Sequence, residues 1–343
     1  MRAPWANVLL LILLALQLLS GYLALTNGAA SGRWTVWLHG AGAYAVLLLL
    51  IWKGQVIVDA LRRKRVWTTT RYAFFFLLFL LVLTMLSGIV WTIWGPIHLG
   101  GFSLISLHIY VAVPLLVLMA WHAWRQRFVL RLPAARDRRL FLRGLALAVG
   151  GALAWTAVSR VRAAGVLGSR QRRFTGSFET GSYNGRFPTV SWIADRAPAV
   201  ELGSYRLQID GAVAAGRFFS YAELADLAEA EKLAVLDCTG GWYSEQLWRG
   251  VRVGRLLTSA GLQGNAASVT FESLTGYRRR FPLDEAQDFL LALEVAGERL
   301  TPGHGFPVRL VAAGYRGYDW VKWLARITVQ TSPAGLQAPL PLQ

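Results

Sequence analysis

Four long apolar stretches in the first half of this 343-residue chain decide most of what it can be. Residues 5–25, 34–59, 72–94 and 104–124 are each long enough to cross a bilayer, since about 20 apolar residues span ~30 Å of hydrocarbon. A shorter Ala/Gly-rich run follows at 144–158. Apolar stretches of that length satisfy their backbone groups in lipid as helices. The first half is therefore predicted to be an all-α transmembrane bundle of four or five helices. Residues 165–343 read instead as a soluble domain, with charges, turns and short alternating stretches.

The net charge of +17 could signal nucleic acid, but its placement argues otherwise. Basic residues crowd two connections: Arg62, Arg63, Lys64, Arg65 and Arg71 in one, and Arg125, Arg127, Arg131, Arg136, Arg138, Arg139 and Arg143 in the other. The connections at 26–33 and 95–103 carry only Arg33. That is the positive-inside pattern. It puts Met1 and both basic connections in the cytoplasm, and it sends the fifth run outward. The domain after residue 165 would then lie outside the cytoplasmic membrane, as in a bacterial periplasm. That domain has no basic stripe interleaved with aromatics, so nucleic acid is not an expected partner. No internal repeat is legible.

The entry to the fifth run, Arg138-Arg139-Leu140-Phe141-Leu142-Arg143, resembles the twin-arginine export signal, a receptor-read address. That pathway carries proteins already folded around a cofactor. The alternative is an arginine-rich stop-transfer flank. From about residue 205 the pattern is mixed α and β. "YRLQIDGAV", "LAVLDC", "SVTFESL", "FPVRLVA" and "ARITVQ" read as strands, and "SYAELADLAEAEK" as a helix.

Four of the five histidines lie in or beside the membrane half. His39 sits early in the second run and His108 early in the fourth, so the topology above brings both toward the outer leaflet. Two imidazoles at one depth on facing helices suit the two axial positions of haem b. His108 and His122 share one helix face, about 21 Å apart at ~1.5 Å per residue. This spacing resembles that in two-haem membrane cytochromes, but Lys53 stands where a second ligand would be expected. His122 is thus either a ligand of a second haem or an interfacial histidine, and His98 reads as a loop residue.

Cys238, the only cysteine, ends the apolar run "LAVLDC" ahead of Gly240-Gly241. A lone cysteine is often a small buried hydrophobe. A nucleophilic thiol would want a positioned histidine, and the second half holds only His304. Zinc would want three or four clustered ligands, which are absent from the sequence around it. A thiolate can also be the single protein ligand of a metal whose other ligands belong to an organic cofactor.

The residues around it resemble, in order, the molybdopterin domain of the sulfite oxidase family. The series runs from "FTGSFETGSYNGRFPTVSWIADRAP" and "YRLQIDG" through "LDCTGGWYSEQLWRGVRVGRLL" and "FESLTGYRRRFPLDEA" to "GHGFPVRLVAAGYRGYDWVKWLARITV". The resemblance implies that Cys238 ligates molybdenum beside the pterin dithiolene. It implies that His304, Arg309 and Lys322 hold the pterin and its phosphate, with Arg316 and Asn184 as further candidates. Where animal and plant sulfite oxidases have Gly-Asn-Arg after the cysteine, this chain has Thr239-Gly240-Gly241, which puts sulfite in doubt as the substrate. Tyr243, Tyr277 and Arg278–Arg280 could line the substrate pocket. The membrane half resembles, less specifically, the b-type cytochromes that feed exported molybdenum reductases.

The expected organisation is a four-helix cytochrome-like domain at 1–128, then a basic loop with the twin-arginine-like motif and fifth segment at 129–165. A mixed α+β, sulfite oxidase-like molybdopterin domain follows at 166–335, with a tail at 336–343. The expected function is a membrane-anchored molybdenum oxidoreductase with molybdopterin and one or two haems b. It would take electrons from quinol or another membrane donor and reduce a small S- or N-oxide. The alternatives are a sulfite oxidase-like enzyme returning electrons to the membrane, and a cofactor-free sensor or binding module on a lipid anchor.

Overall fold

The computed structural model describes residues 4–63, 68–125, 138–165, 171–191 and 195–337. Lys64, Arg65, Arg127, Arg131 and Arg136 of the two basic connections, and residues 338–343 of the tail, lie outside the described residues. The chain divides into two units. One comprises Met1–Leu25 and Ala30–Phe178, the other Thr26–Ala29 and Glu179–Gln343. The boundary thus falls at Phe178 rather than near residue 165. The reason is that Phe178 is buried against Trp91 and Leu104 of the helical unit.

The first unit holds helices α1 (Pro4–Thr26), α2 (Arg33–Arg63), α3 (Thr69–Trp94), α4 (Leu104–Arg125) and α5 (Arg138–Ala163). All five are long and apolar enough to cross a membrane. The fifth is longer than its apolar run, and the twin-arginine-like motif occupies its first turns. It packs closely on α2. A Cβ added at Gly151 would lie 2.4 Å from the Ala41 carbonyl oxygen, and one at Gly40 would lie 2.5 Å from the Trp155 ring. Such small residues let two helix backbones approach closely.

The second unit is mixed α and β, built on two sheets. In one, the long strand Trp242–Arg252 pairs antiparallel with Ala230–Asp237 on one side and Leu290–Val295 on the other. Arg309–Val311 adds to Leu290–Val295. The second sheet runs Arg217–Ser220, Arg206–Gly211, Leu324–Gln330, Ser268–Ser273, Arg278–Pro282, with one parallel pair between Leu324–Gln330 and Arg206–Gly211. Trp248, Phe271, Leu257 and Leu290 are fully buried in the shared core.

The strands expected from alternation are present, but the expected helix over "SYAELADLAEAEK" is cut short. Ser220 and Glu223 form a capping box that starts it, and it ends at Asp226. Ala230–Asp237 then pairs residue for residue with Tyr243–Gly250. Continuous cross-strand pairing outweighs the helix propensity of Ala, Glu and Lys.

Candidate functional site

Cys238 sits in a hairpin loop. Asp237 pairs with Tyr243, which leaves 238–242 between them to make the turn. The Cys238 N–H donates to the Trp242 carbonyl at 2.9 Å and the Gly241 N–H to the Cys238 carbonyl at 3.1 Å. Gly241 has φ +88°, a conformation that a Cβ would penalise. The turn aims the Gly240 N–H at the Cys238 sulfur, 3.3 Å away. Burial pushes the thiol pKa up, while the Gly240 N–H and the Arg316 and Lys322 charges act against that rise. The loop is braced from behind. Arg316 lies 2.7 Å from the fully buried Asp237 carboxylate and reaches the Cys238 carbonyl at 3.4 Å. Gly317 allows this approach, since a Cβ there would lie 3.2 Å from Cys238 Cα.

The sulfur's loop opens on a cavity that His304, Arg309, Lys322, Tyr277, Thr239, Trp242 and Asp195 also line. His304 ends a short 3-10 turn capped by Thr301. Its ring stacks on Phe187 at 4.0 Å, and its Nε2 lies 2.9 Å from the Phe187 carbonyl. Burial lowers its pKa, and the Arg309 and Lys322 charges act in the same direction. Arg309 donates to the His304 carbonyl at 2.9 Å, and its guanidinium lies over the Trp248 and Trp320 rings. Burial holds its pKa down to about 9. Its Nε, like the Nε1 of Trp320, is buried with no hydrogen-bond partner among the described residues.

Lys322 donates to the Val190 and Gly303 carbonyls at 2.9 and 2.7 Å. Burial first, and then the Arg309 charge, lowers its pKa from 10.5 to about 7. Between those values the unfolded chain holds a proton there that the folded chain has released, so this group's contribution to stability rises with pH and is lost as pH falls through about 7. Melting temperatures of the cofactor-free protein should therefore climb more steeply from pH 7 to 10 in wild type than in Lys322→Met. Equal slopes would count against this placement of the amine.

Other expected site residues are elsewhere. Tyr243 belongs to the hairpin and is not among the residues lining the cavity. Tyr277 does line it, with its hydroxyl donating to the Tyr318 carbonyl. Asn184 is exposed and accepts from the Arg186 N–H at 2.8 Å, which is a local turn. Arg316 is committed to Asp237. Arg278 is exposed, and Arg280 bonds Ser268 and Ser332. Arg279 forms a buried pair with Asp319 at 2.7 Å, their side chains 6% and 4% exposed. Burial raises the Asp319 pKa to about 6 against the pull of Arg279. Truncating one partner, as in Arg279→Met, should cost about 3–5 kcal/mol, because the other charge stays buried. Arg279→Met with Asp319→Leu should cost less than the two single changes summed, as denaturation curves of the four proteins would measure. Asp195, Phe187 and Trp320 lie within the stretches that carry the family resemblance, but no residue type or spacing there singled them out as cavity residues.

In the helical unit, α2 and α4 bring His39 and His108 to 6.2 Å between ring centroids, with planes at 89°. Each Nδ1 is held by the preceding helix. His39 Nδ1 lies 3.0 Å from the Gln17 carbonyl and 3.3 Å from Ser20 Oγ. His108 Nδ1 lies 2.8 Å from the Thr84 carbonyl and 3.2 Å from Ser87 Oγ. A carbonyl can only accept, so Nδ1 carries the proton and Nε2 the lone pair. Gly21 and Gly88 make the room: a Cβ at either would come within 2.9 and 3.1 Å of the facing ring. Gln17, Ser20 and Gly21 therefore match Thr84, Ser87 and Gly88 in spacing and task. The structure thus contains an internal correspondence between the α1–α2 and α3–α4 hairpins that the sequence did not reveal. His98 is exposed in a short hairpin with Ser103, outside the bundle. His122 neighbours Phe74, and no second histidine stands beside it among the described residues.

A family model described as an oxidoreductase molybdopterin binding domain matches residues 194–337. The chain is 40% identical over 103 residues to a nitrate reductase (NAD(P)H) of Hordeum vulgare, covering 26% of this chain and 12% of that protein. It is 29% identical over 167 residues to nitrate reductase (NADH) 1 of Arabidopsis thaliana, covering 38% and 18%. It thus spans less than a fifth of the length of these relatives. The sulfane dehydrogenase SoxCD of Paracoccus pantotrophus aligns at 27% identity over 40% of each chain, with a TM-score of 0.38. The cavity fits a molybdopterin. It offers one thiol, and its two buried donors without partners, Arg309 Nε and Trp320 Nε1, suit a ligand rich in acceptors.

Proposed function

We propose, with the molybdopterin-binding oxidoreductase domain of residues 194–337 as premise, that the chain is a membrane-anchored molybdenum oxidoreductase. It takes electrons from the quinol pool and reduces a small S- or N-oxide. The five apolar helices would cross the cytoplasmic membrane with Met1 inside, leaving the second unit on the outer side. Molybdopterin and one haem b, when bound, supply two-electron chemistry at the substrate and one-electron transfer through the bundle.

The remaining work falls to the chain's own residues. Cys238 offers the single protein thiolate, and the Gly240 N–H steadies its charge. Arg309, Trp320 and Lys322 supply donors for the pterin and its phosphate, and His304 fixes Arg309 through its carbonyl. Reduction of the oxide consumes two electrons and two protons and releases water, so the pocket must stay open to solvent protons.

The observation that carries the reading is the His39–His108 pair in the same chain as this domain. With metal–nitrogen bonds of about 2.0–2.1 Å and ring nitrogens about 1.1 Å from their centroids, two imidazoles on one iron stand about 6.3 Å apart. The rings here are 6.2 Å apart. The reductive direction agrees with the relatives whose printed name is nitrate reductase.

Molybdenum and iron content of the detergent-purified chain tests the cofactors, and both should be near one per chain. Adding candidate oxides to the reduced protein and following the haem absorption tests the direction. Reoxidation by an S- or N-oxide is the expected result. Reduction of the oxidised protein by sulfite would reverse the flow, and iron without molybdenum would sink the reading.

A further inference from the structure

The first 178 residues contain only two carboxylates, Asp59 and Asp137. In the sequence Asp59 is followed closely by the first basic connection, and Asp137 falls within the second. At the opposite ends of the helices there is no acidic residue, yet guanidiniums gather there. Arg162, at the end of α5, lies 4.9 Å from the Phe178 ring centroid, and Arg172 lies 5.6 Å from the same ring. Arg33, at the start of α2, and Arg173 lie over Phe174 at 5.9 and 5.1 Å. Arg172 Nε is buried with no hydrogen-bond partner, and among the described residues no carboxylate pairs with Arg33, Arg162 or Arg172. Burial, and then the Arg162 charge, pushes the Arg172 pKa down to about 9.

This cluster adjoins the histidine pair. Phe178 packs edge-on against Trp91 at 5.3 Å, and Trp91 Nε1 donates to the Gly176 carbonyl at 3.1 Å. Trp91 lies about one helical turn beyond Gly88, which faces His108, and Leu104 of the same apolar cluster lies about one turn before His108. Arg33 lies within about two turns of His39 on α2. Unpaired cations in a partly buried setting are costly unless an anion joins them.

We propose that Arg162 and Arg172 bind the two propionate carboxylates of the porphyrin held by His39 and His108. The inference rests on the haem reading given above. A b-type haem has no covalent tether, so its two carboxylates are its polar handles, and guanidiniums bind carboxylates through short charge-assisted hydrogen bonds. Phe178 sets the depth of both arginines, and Gly176 leaves room for Arg172, because a Cβ there would lie 3.0 Å from its Nη2.

The test uses the full chain in detergent, stripped of haem and titrated with protohaem or with its dimethyl ester, which has the same ring and no carboxylate charge. Wild type should bind protohaem at least about tenfold more tightly than the ester. In Arg162→Gln/Arg172→Gln that preference should shrink toward one, with the two-imidazole absorption spectrum retained. Equal binding of acid and ester by wild type would overturn the proposal and leave the haem reading standing. The arginines would then serve another anion, such as a lipid phosphate. Failure of wild type to take up either porphyrin with a two-imidazole spectrum would overturn both. If the double variant does not fold, the wild-type comparison still decides.

Discussion

Cys238→Ser should reduce oxide-dependent turnover by roughly a hundredfold or more. Loss of a supporting residue around a metal already costs about 10–100-fold, and here the proposed ligand itself would be removed. The fold should survive. The loop is held by backbone bonds from Cys238 to Trp242 and from Gly241 to Cys238, and by the buried Arg316–Asp237 pair. None of these needs the sulfur. A serine oxygen can still accept from the Gly240 N–H, so stability should change by no more than about 1 kcal/mol. Molybdenum content, turnover and melting temperature of the variant check the three statements together. Full turnover with serine would make Cys238 a packing residue and return the chain to the cofactor-free alternative.

His39→Ala and His108→Ala should each empty the helical unit of iron while leaving molybdenum in place. On the proposed reading each ring would be one of two facing ligands, and each is oriented by its own carbonyl and serine, so neither could replace the other. Iron per chain should fall from near one to near zero, and quinol-dependent turnover should fall with it. Turnover driven by a soluble artificial donor should persist. His122→Ala should leave the iron unchanged, because its described neighbours include Phe74 and no second histidine. Loss of iron in His122→Ala would mean that the site lies at the other end of α4.

The two halves of the chain were legible to different degrees. Four helices could be read directly and the fifth only as a shorter run at 144–158, because length and hydropathy are properties of a segment alone and each helix satisfies its own backbone. The strands Arg206–Gly211, Ser268–Ser273 and Leu324–Gln330 were also legible, since alternation of burial is written into consecutive residues. The long strand Trp242–Arg252 was hidden behind the glycines of the Cys238 loop. The helix over 220–232 was overcalled for the opposite reason, as its composition favours helix while its partner strand demands extension.

At the sites, identity came from sequence and role from contacts. Cys238, His304, Arg309 and Lys322 were put forward from the family resemblance, and His39 and His108 from residue type and depth along their helices, because few side chains can do metal or phosphate chemistry. Which arginines are free to meet a ligand could not be read, since that depends on where acidic partners arrive from distant segments. Asp237 claims Arg316 and Asp319 claims Arg279, whereas among the described residues no carboxylate pairs with Arg309, Arg162 or Arg172. The sequence alone determined the helical spans, the uneven distribution of basic residues among their connections and the lone thiol. Only the tertiary structure decided the shared role of Ser20-Gly21 and Ser87-Gly88, and the division between charges that brace the fold and charges left for a ligand. Pairing is a property of three-dimensional neighbours, and a linear order of residues does not contain it.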